Sequence, residues 1–301
     1  MNKRKRVALI IETSNEYARG LLHGIRAFIR EHESWSIYLG EQSRGEAPQW
    51  LEGFDGDGII ARIETPAIAQ AVKRSKLPAI DVSAARHVPS LPWVETDNDA
   101  ITKLAAEHLI ERGFKQLAFC GVPVFAWSNE RSDYFARVAK KAGIPCEIYA
   151  AGRSGRDGRT GGWMSWVREQ PALEAWVRSL PKPCGVMACY DIRVPEEIAI
   201  VGVDNDELLC HLCDPPLSSV APDTDRTGYV AAELLNKMMH GKAVPNEAHL
   251  IKPIGLVTRQ SSDVLAIADP EIADAASFIR EHACEGITVQ DVLDAVPLSR
   301  R

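Results

Sequence analysis

No run of apolar residues in the chain approaches the roughly 20 that a membrane-spanning helix requires, so a helical membrane protein is excluded and no membrane partner is expected. The basic opening "MNKRKR" leads into only "VALII" before Glu12. That is shorter than a secretory apolar region and predicts a first strand instead of a signal peptide. Cysteine is sparse, and its seven copies are an odd set without framework spacing. This excludes a disulfide scaffold, fits reduced thiols and leads to the expectation of a cytoplasmic protein. Positive charge is not in excess either: the net charge is −6 over 301 residues, so any contact with nucleic acid has to come from a local patch.

The common catalytic signatures are missing too. There is no GxGxxG after the first strand, no GxxxxGK[ST], no HExxH and no GxSxG elbow, so neither an enzyme nor a cofactor is expected. Cys210, His211 and Cys213 in "CHLC" form one CxxC without a second pair, and buried thiols are the better reading than a zinc site. His23 and His108 fall within helical stretches and read as packed or surface histidines. "AGRSGRDGRTGG", 151–162, reads as a solvated loop ahead of a phosphate or nucleic-acid grip.

What is present is alternation. Short β-branched or apolar runs ("RVALII", "DGDGIIA", "LPAIDV", "FKQLAFCG", "IPCEIYA", "CGVMACY", "EIAIVGVDN") are separated by helical stretches such as Glu16 to Glu31 and Ala100 to Arg112. Strands regularly separated by helices predict βαβ units and parallel sheets buried on both faces, hence an α/β fold in two similar lobes. "HLIKPIGLVTRQSSD" reads as a final strand. One spacing breaks the pattern: only Asp191 to Glu197 join "CGVMACY" to "IAIVGV", where parallel neighbours need a crossover of a dozen or more residues. If the two runs are neighbours, part of the second sheet is expected to lose its helical cover.

Polar residues recur where these runs end: Glu12, Asn15, Asp81, Ser83, Asp191 and Asp204. Open α/β sheets bind ligands at strand C-termini, and carboxylates and amides gathered there suit a sugar, whose hydroxyls both donate and accept hydrogen bonds. Arg131 can bridge adjacent hydroxyls with its planar fork, and Trp127 or Tyr17 can stack on a sugar ring. In the tail, Ile287 to Val296 carries apolar residues at helical spacing before Pro297. It predicts the first helix of a helix-turn-helix, with Ser299, Arg300 and Arg301 as the opening of the DNA-contacting second helix.

"VETDNDAITKLAAEHLIERGFKQLAFCG", "VMACYD", "IRVPEEIAIVGVDNDE" and "PPLSSVAPDTDRTGYVAAELL" resemble the effector domain of the lactose and purine repressor family, itself similar to periplasmic sugar-binding proteins. "DPEIADAASFIREHACEGITVQDVLDAVPLSRR" resembles the start of a DNA-binding domain of the AraC/XylS family. The two in this order, over nearly the whole chain, resemble a family of xylose-responsive transcription activators. The resemblance implies a sensing domain over 1–262, with a first lobe of about 1–117 and 222–248 and a second of about 118–221 and 249–262. It implies an incomplete helix-turn-helix domain over 268–301. It further implies a pentose ligand, xylose first, operator DNA as partner of the full-length relatives, and a homodimer. Its ligand contacts carry over onto the loop Glu12 to Tyr17, Arg131, Asp191 and Asp204, and its usual pattern has a helix after the equivalent of Asp191. The competing readings are a sugar-binding module without DNA-binding activity and an α/β enzyme acting on a sugar.

Overall fold

The computed structural model describes residues 4–40, 46–150, 163–189, 198–263 and 270–296. The chain runs β1 (Arg6–Ile10), α1 (Glu16–Glu31), β2 (Ser36–Leu39), β3 (Gly58–Ala61), α2 (Pro66–Ser75), β4 (Ala79–Asp81), β5 (Trp93–Thr96), α3 (Asn98–Glu111) and β6 (Leu117–Gly121). It continues through α4 (Ala126–Lys141), β7 (Cys146–Ala150), α5 (Trp163–Ser179), β8 (Cys184–Ala188), β9 (Ile198–Val203), α6 (Glu207–Leu212) and β10 (Ser218–Ala221). Last come α7 (Thr224–Met239), β11 (Ala248–Ile251), β12 (Gly255–Val257), α8 (Pro270–His282) and α9 (Val289–Ala295).

The strands form two six-stranded sheets, ordered β11-β5-β4-β3-β1-β2 and β12-β10-β9-β8-β6-β7. The orders match position for position, so the chain builds the same lobe twice. Every pairing is parallel except β10 with β12. The central strands β3, β6 and β8 are buried throughout, as apolar runs covered by helices on both faces must be, whereas the edge strand β2 is exposed throughout. In the first lobe α1 and α7 cover one face and α2 the other. The α1–α7 contact is close enough to need glycine: a Cβ on Gly24 would lie 1.8 Å from Asp225 O, and one on Gly228 2.0 Å from Leu21 O.

Three differences from the sequence expectation bear on the site. Helix α3 belongs to the second lobe, because Ile101, Ala105, Ala106 and Leu109 are buried in its core with Phe119 and Phe135. The first crossing between lobes therefore comes at Asp97, not near 117. The predicted final strand is two strands: β11 pairs with β5 in the first sheet and β12 with β10 in the second, so the expected division between 248 and 249 falls inside β11. The crossings are bound together, with Asp97 N donating to Ile251 O at 2.7 Å and Ile254 N to Ala221 O at 2.8 Å.

The third difference concerns β8 and β9. They are parallel neighbours, Cys184 opposite Ile198 and Met187 opposite Val201. The expected loss of cover does not follow, since Val186, Ala188, Ile198 and Ile200 are all buried in a cluster with Val177 and Leu180 from the C-terminal end of α5 and the turn after it. Ser261 adds a polar tie, its Oγ donating to Ile200 O at 2.7 Å and accepting from Ser218 N at 2.8 Å.

The tail contains two helices that pack on each other, α8 and α9. Helix α9 starts two residues later than the periodicity indicates, because Thr288 and Asp291 form a reciprocal capping box. No helix among the described residues is long and apolar enough to cross a membrane.

Candidate functional site

A cleft of about 180 Å³ opens between the C-terminal ends of the two sheets. Its first wall comes from the loop after β1 and the start of α1, from the loops after β3 and β4, and from β5: Asn15, Tyr17, Arg62, Glu64, Ser83 and Glu95. Its second wall comes from α4, the end of β8 and the end of β9: Trp127, Arg131, Cys189 and Asp204. The cavity is smaller than the roughly 300–1,000 Å³ of drug-sized ligand pockets and suits a small polar ligand.

On the first wall Arg62 is fully enclosed, paired with Glu12 and, at 2.6 Å, with Glu64. Its guanidinium lies 5.0 Å from the centre of the Tyr17 ring. Burial alone would lower the Arg62 pKa, but the Glu12 and Glu64 carboxylates outweigh it and hold it above the ordinary value. Tyr17 donates its hydroxyl to Glu95 Oε1 at 3.2 Å, and Thr96 donates to the same oxygen at 3.1 Å. Burial pushes Glu95 up to about 8 against the lowering pull of Arg62 and Arg131. Burial thus shifts Glu95 toward its neutral form, the one that can donate as well as accept. Asp81, beneath Ser83, is likewise raised by burial to about 7 while Ser83 Oγ donates to it at 2.7 Å.

On the second wall Arg131 is 4 % exposed, donates Nε to Asn98 Oδ1 at 2.9 Å, and lies 5.0 Å from the centre of the Trp127 ring. Trp127 stacks on Phe125. Asp204 follows β9 with φ 83°, a left-handed conformation that side chains other than glycine rarely adopt. The next residue, Asn205, has φ 46° and is held by Arg259 and Ser219. Asp204 Oδ1 and Arg62 Nε are buried with no hydrogen-bond partner in the protein. A buried acceptor and a buried donor without partners are costly, and residues lining a cleft retain such atoms where a ligand completes them.

Of the residues singled out in the sequence, Asn15, Tyr17, Ser83, Trp127, Arg131 and Asp204 come together in the cleft. Glu12 does not line it. It stands behind, where it pairs with Arg62 and accepts from Asn15 Nδ2 at 3.1 Å, because its side chain is turned into the lobe. Asp191, the loop 151–162 and Ser299, Arg300 and Arg301 lie outside the described residues. Cys210 is buried and Cys213 half-buried, its Sγ 3.3 Å from Leu209 O; among the described residues no group of His, Cys, Asp and Glu is placed to hold a metal ion. Arg62, Glu64, Glu95 and Cys189 had not been singled out. The available signal was a charge set inside a buried apolar run, as in "IIARIE" and "WVET".

Known proteins agree with this architecture. A family model of the XylR N-terminal domain matches residues 6–99 and one of the periplasmic binding protein-like domain matches 106–262, so the break between them falls just after the crossing at Asp97. The chain is 32 % identical to the xylose operon regulatory protein of Haemophilus influenzae, over 98 % of this chain and 80 % of the relative. The corresponding protein of Escherichia coli is 30 % identical over 99 % of this chain and 80 % of the relative. The chain belongs to the xylose operon regulatory protein family. A solved structure of the xylose-binding transcription activator XylR superimposes with a TM-score of 0.80 at 30 % identity, over 99 % of this chain and 80 % of that one. Membership accounts for the doubled lobe, since the periplasmic-binding-protein-like fold is two α/β lobes with a cleft between their strand ends, and it makes the chain a relative of transcription regulators rather than of enzymes.

Proposed function

We propose that the chain senses a pentose, xylose first, between its two lobes, and that the bound sugar controls DNA binding through an AraC-type domain to which α8 and α9 belong. The observation that carries this reading is the cleft itself. Two arginine–aromatic pairs face each other across it, with a buried acceptor on Asp204 and a buried donor on Arg62 that lack protein partners. Sugar hydroxyls can supply both missing bonds, and the aromatic rings offer apolar faces to the sugar's C–H groups. In this reading Asn15, Tyr17, Arg131, Asp204 and Glu95 contact the ligand, Glu12 orients Arg62, and xylose, which the related activator XylR binds, is the first candidate. Operator DNA and a second copy of the chain are the partners implied for the regulator.

Calorimetry with xylose, arabinose, ribose and glucose tests the reading. Xylose is expected to bind best. Replacement of Asp204 by Ala is expected to weaken binding at least about tenfold, as loss of a hydrogen bond to a charged group costs roughly 1.5–3 kcal/mol. An absence of heat with every pentose, or an Asp204→Ala variant as tight as its parent, excludes it.

A further inference from the structure

An ion pair joins the walls outside the cleft lining. Arg19, at the end of the first turn of α1 in the first lobe, places Nη2 3.1 Å from Oδ2 of Asp206, which follows β9 in the second lobe. Both partners are set in position by their own lobes. The Arg19 guanidinium donates to Glu16 through Nε and Nη2 at 3.2 and 2.8 Å, and through Nη1 to Thr13 O at 3.3 Å. Asp206 is the N-cap of α6, with Oδ1 accepting from Leu209 N at 3.2 Å, so its Oδ2 is the atom that faces across the cleft. Neither side chain lines the cavity, yet Asp206 is two residues beyond Asp204 and Arg19 four beyond Asn15.

We infer that Arg19 and Asp206 form a latch that holds the lobes together over the bound ligand, making Arg19 a positioning residue for sugar affinity although it does not touch the sugar. The inference rests on reading the cleft as the sugar site. A ligand gripped by both walls binds the closed arrangement, so its apparent affinity is the intrinsic one scaled by the closed fraction. An ion pair that exists only when the lobes meet raises that fraction. The side chains are 39 % and 17 % exposed, so solvent screens the pair and its worth is about two- to fivefold, not more.

Asp206→Asn isolates the charge, because asparagine caps a helix as well as aspartate does, and Arg19→Gln removes the other partner. Xylose affinity is measured by calorimetry for the parent, both single variants and the double variant, each at low and high salt. The latch predicts that each single variant loses about two- to fivefold at low salt. It also predicts that the double variant is no weaker than either single, and that high salt brings the parent down to the variants. Single variants as tight as the parent, or losses that simply add, overturn it. A parent that binds no xylose removes the sugar reading but not the test. Small-angle scattering of the ligand-free proteins then decides, an enlarged radius of gyration in Asp206→Asn supporting the latch and an unchanged one sinking it.

Discussion

The two walls of the cleft use the same device with different electrical settings. Each sets an arginine about one ring's width from an aromatic side chain: Arg62 at Tyr17 in the first lobe and Arg131 at Trp127 in the second, both at 5.0 Å. Arg62, however, is clamped between two carboxylates, whereas Arg131 rests on the neutral amide of Asn98. A guanidinium whose charge is already matched contributes shape and holds its acids in place. One held by an amide keeps its charge for what enters the cleft. The first wall's arginine is accordingly matched by its own acids, whereas the second wall's keeps an unmatched charge beside the cleft.

Replacing each arginine by methionine separates these roles and carries the largest expected effect. In Arg62→Met the buried acids Glu12 and Glu64 lose their cation, and breaking a buried pair in this way costs about 3–5 kcal/mol. The urea midpoint should fall sharply. Arg131→Met removes a donor from the amide oxygen of Asn98 and from the Cys189 thiol but strips no carboxylate of a salt bridge, a loss of about 1–2 kcal/mol of stability, and should weaken xylose binding at least about tenfold. Equal losses of stability in the two variants would show that the walls do not differ in this way.

The walls differ next in how they titrate. Burial raises Glu95 to about 8 and Asp81 to about 7, both in the first lobe. An acid with a raised folded pKa keeps its proton while the unfolded chain gives it up, so its contribution is complete below the unfolded value near 4.5 and is lost as pH rises towards 8. Stability should therefore decline by a few kcal/mol over that window. Glu95→Gln, a fixed neutral mimic, should flatten the decline, as measured by urea midpoints from pH 5 to about 9. A parent and variant with parallel pH profiles would mean that Glu95 ionises normally in the folded protein.

How much of this was legible in the sequence follows from what each residue advertises. The sheets were legible because strands such as "LAFCG" and "IAIVGV" are apolar on both faces, which parallel central strands must be. Asp204 and Asn15 were legible because they sit at strand or helix ends, where polar residues are visible against apolar runs. Arg62 and Glu95 were not, since each reads as one charge in a strand and acquires meaning only when Tyr17, far off in the chain, is brought between them. The place of α3 was hidden for a similar reason. Its apolar positions show that it packs, but only the fold decides which sheet they meet.

The smallest expected effect concerns the connections inside the two sheets. In the first lobe residues 62–78 join β3 to β4 and include α2, while in the second residues 189–197 alone join β8 to β9. From the sequence, the shorter link implied a bare sheet face and a large gain in stability from a supplied helix. Yet the strands meet in register and Ile198 and Ile200 are 3 % and 1 % exposed, buried in a cluster with Val177 and Leu180. A helix added after Asp191 has no uncovered apolar area of this cluster left to bury, so the hydrophobic term that would reward it is small. What remains is the entropy of closing a longer loop, which grows only about 0.6 kcal/mol for each doubling of length. Inserting a designed helix of roughly 15 residues after Asp191, long enough to be stable only if it docks, should therefore lower the stability by about 1 kcal/mol or less. A urea midpoint raised by the equivalent of several kcal/mol would mean that the second sheet does need a crossover helix, and that the two lobes are less alike in their packing than in their strand order.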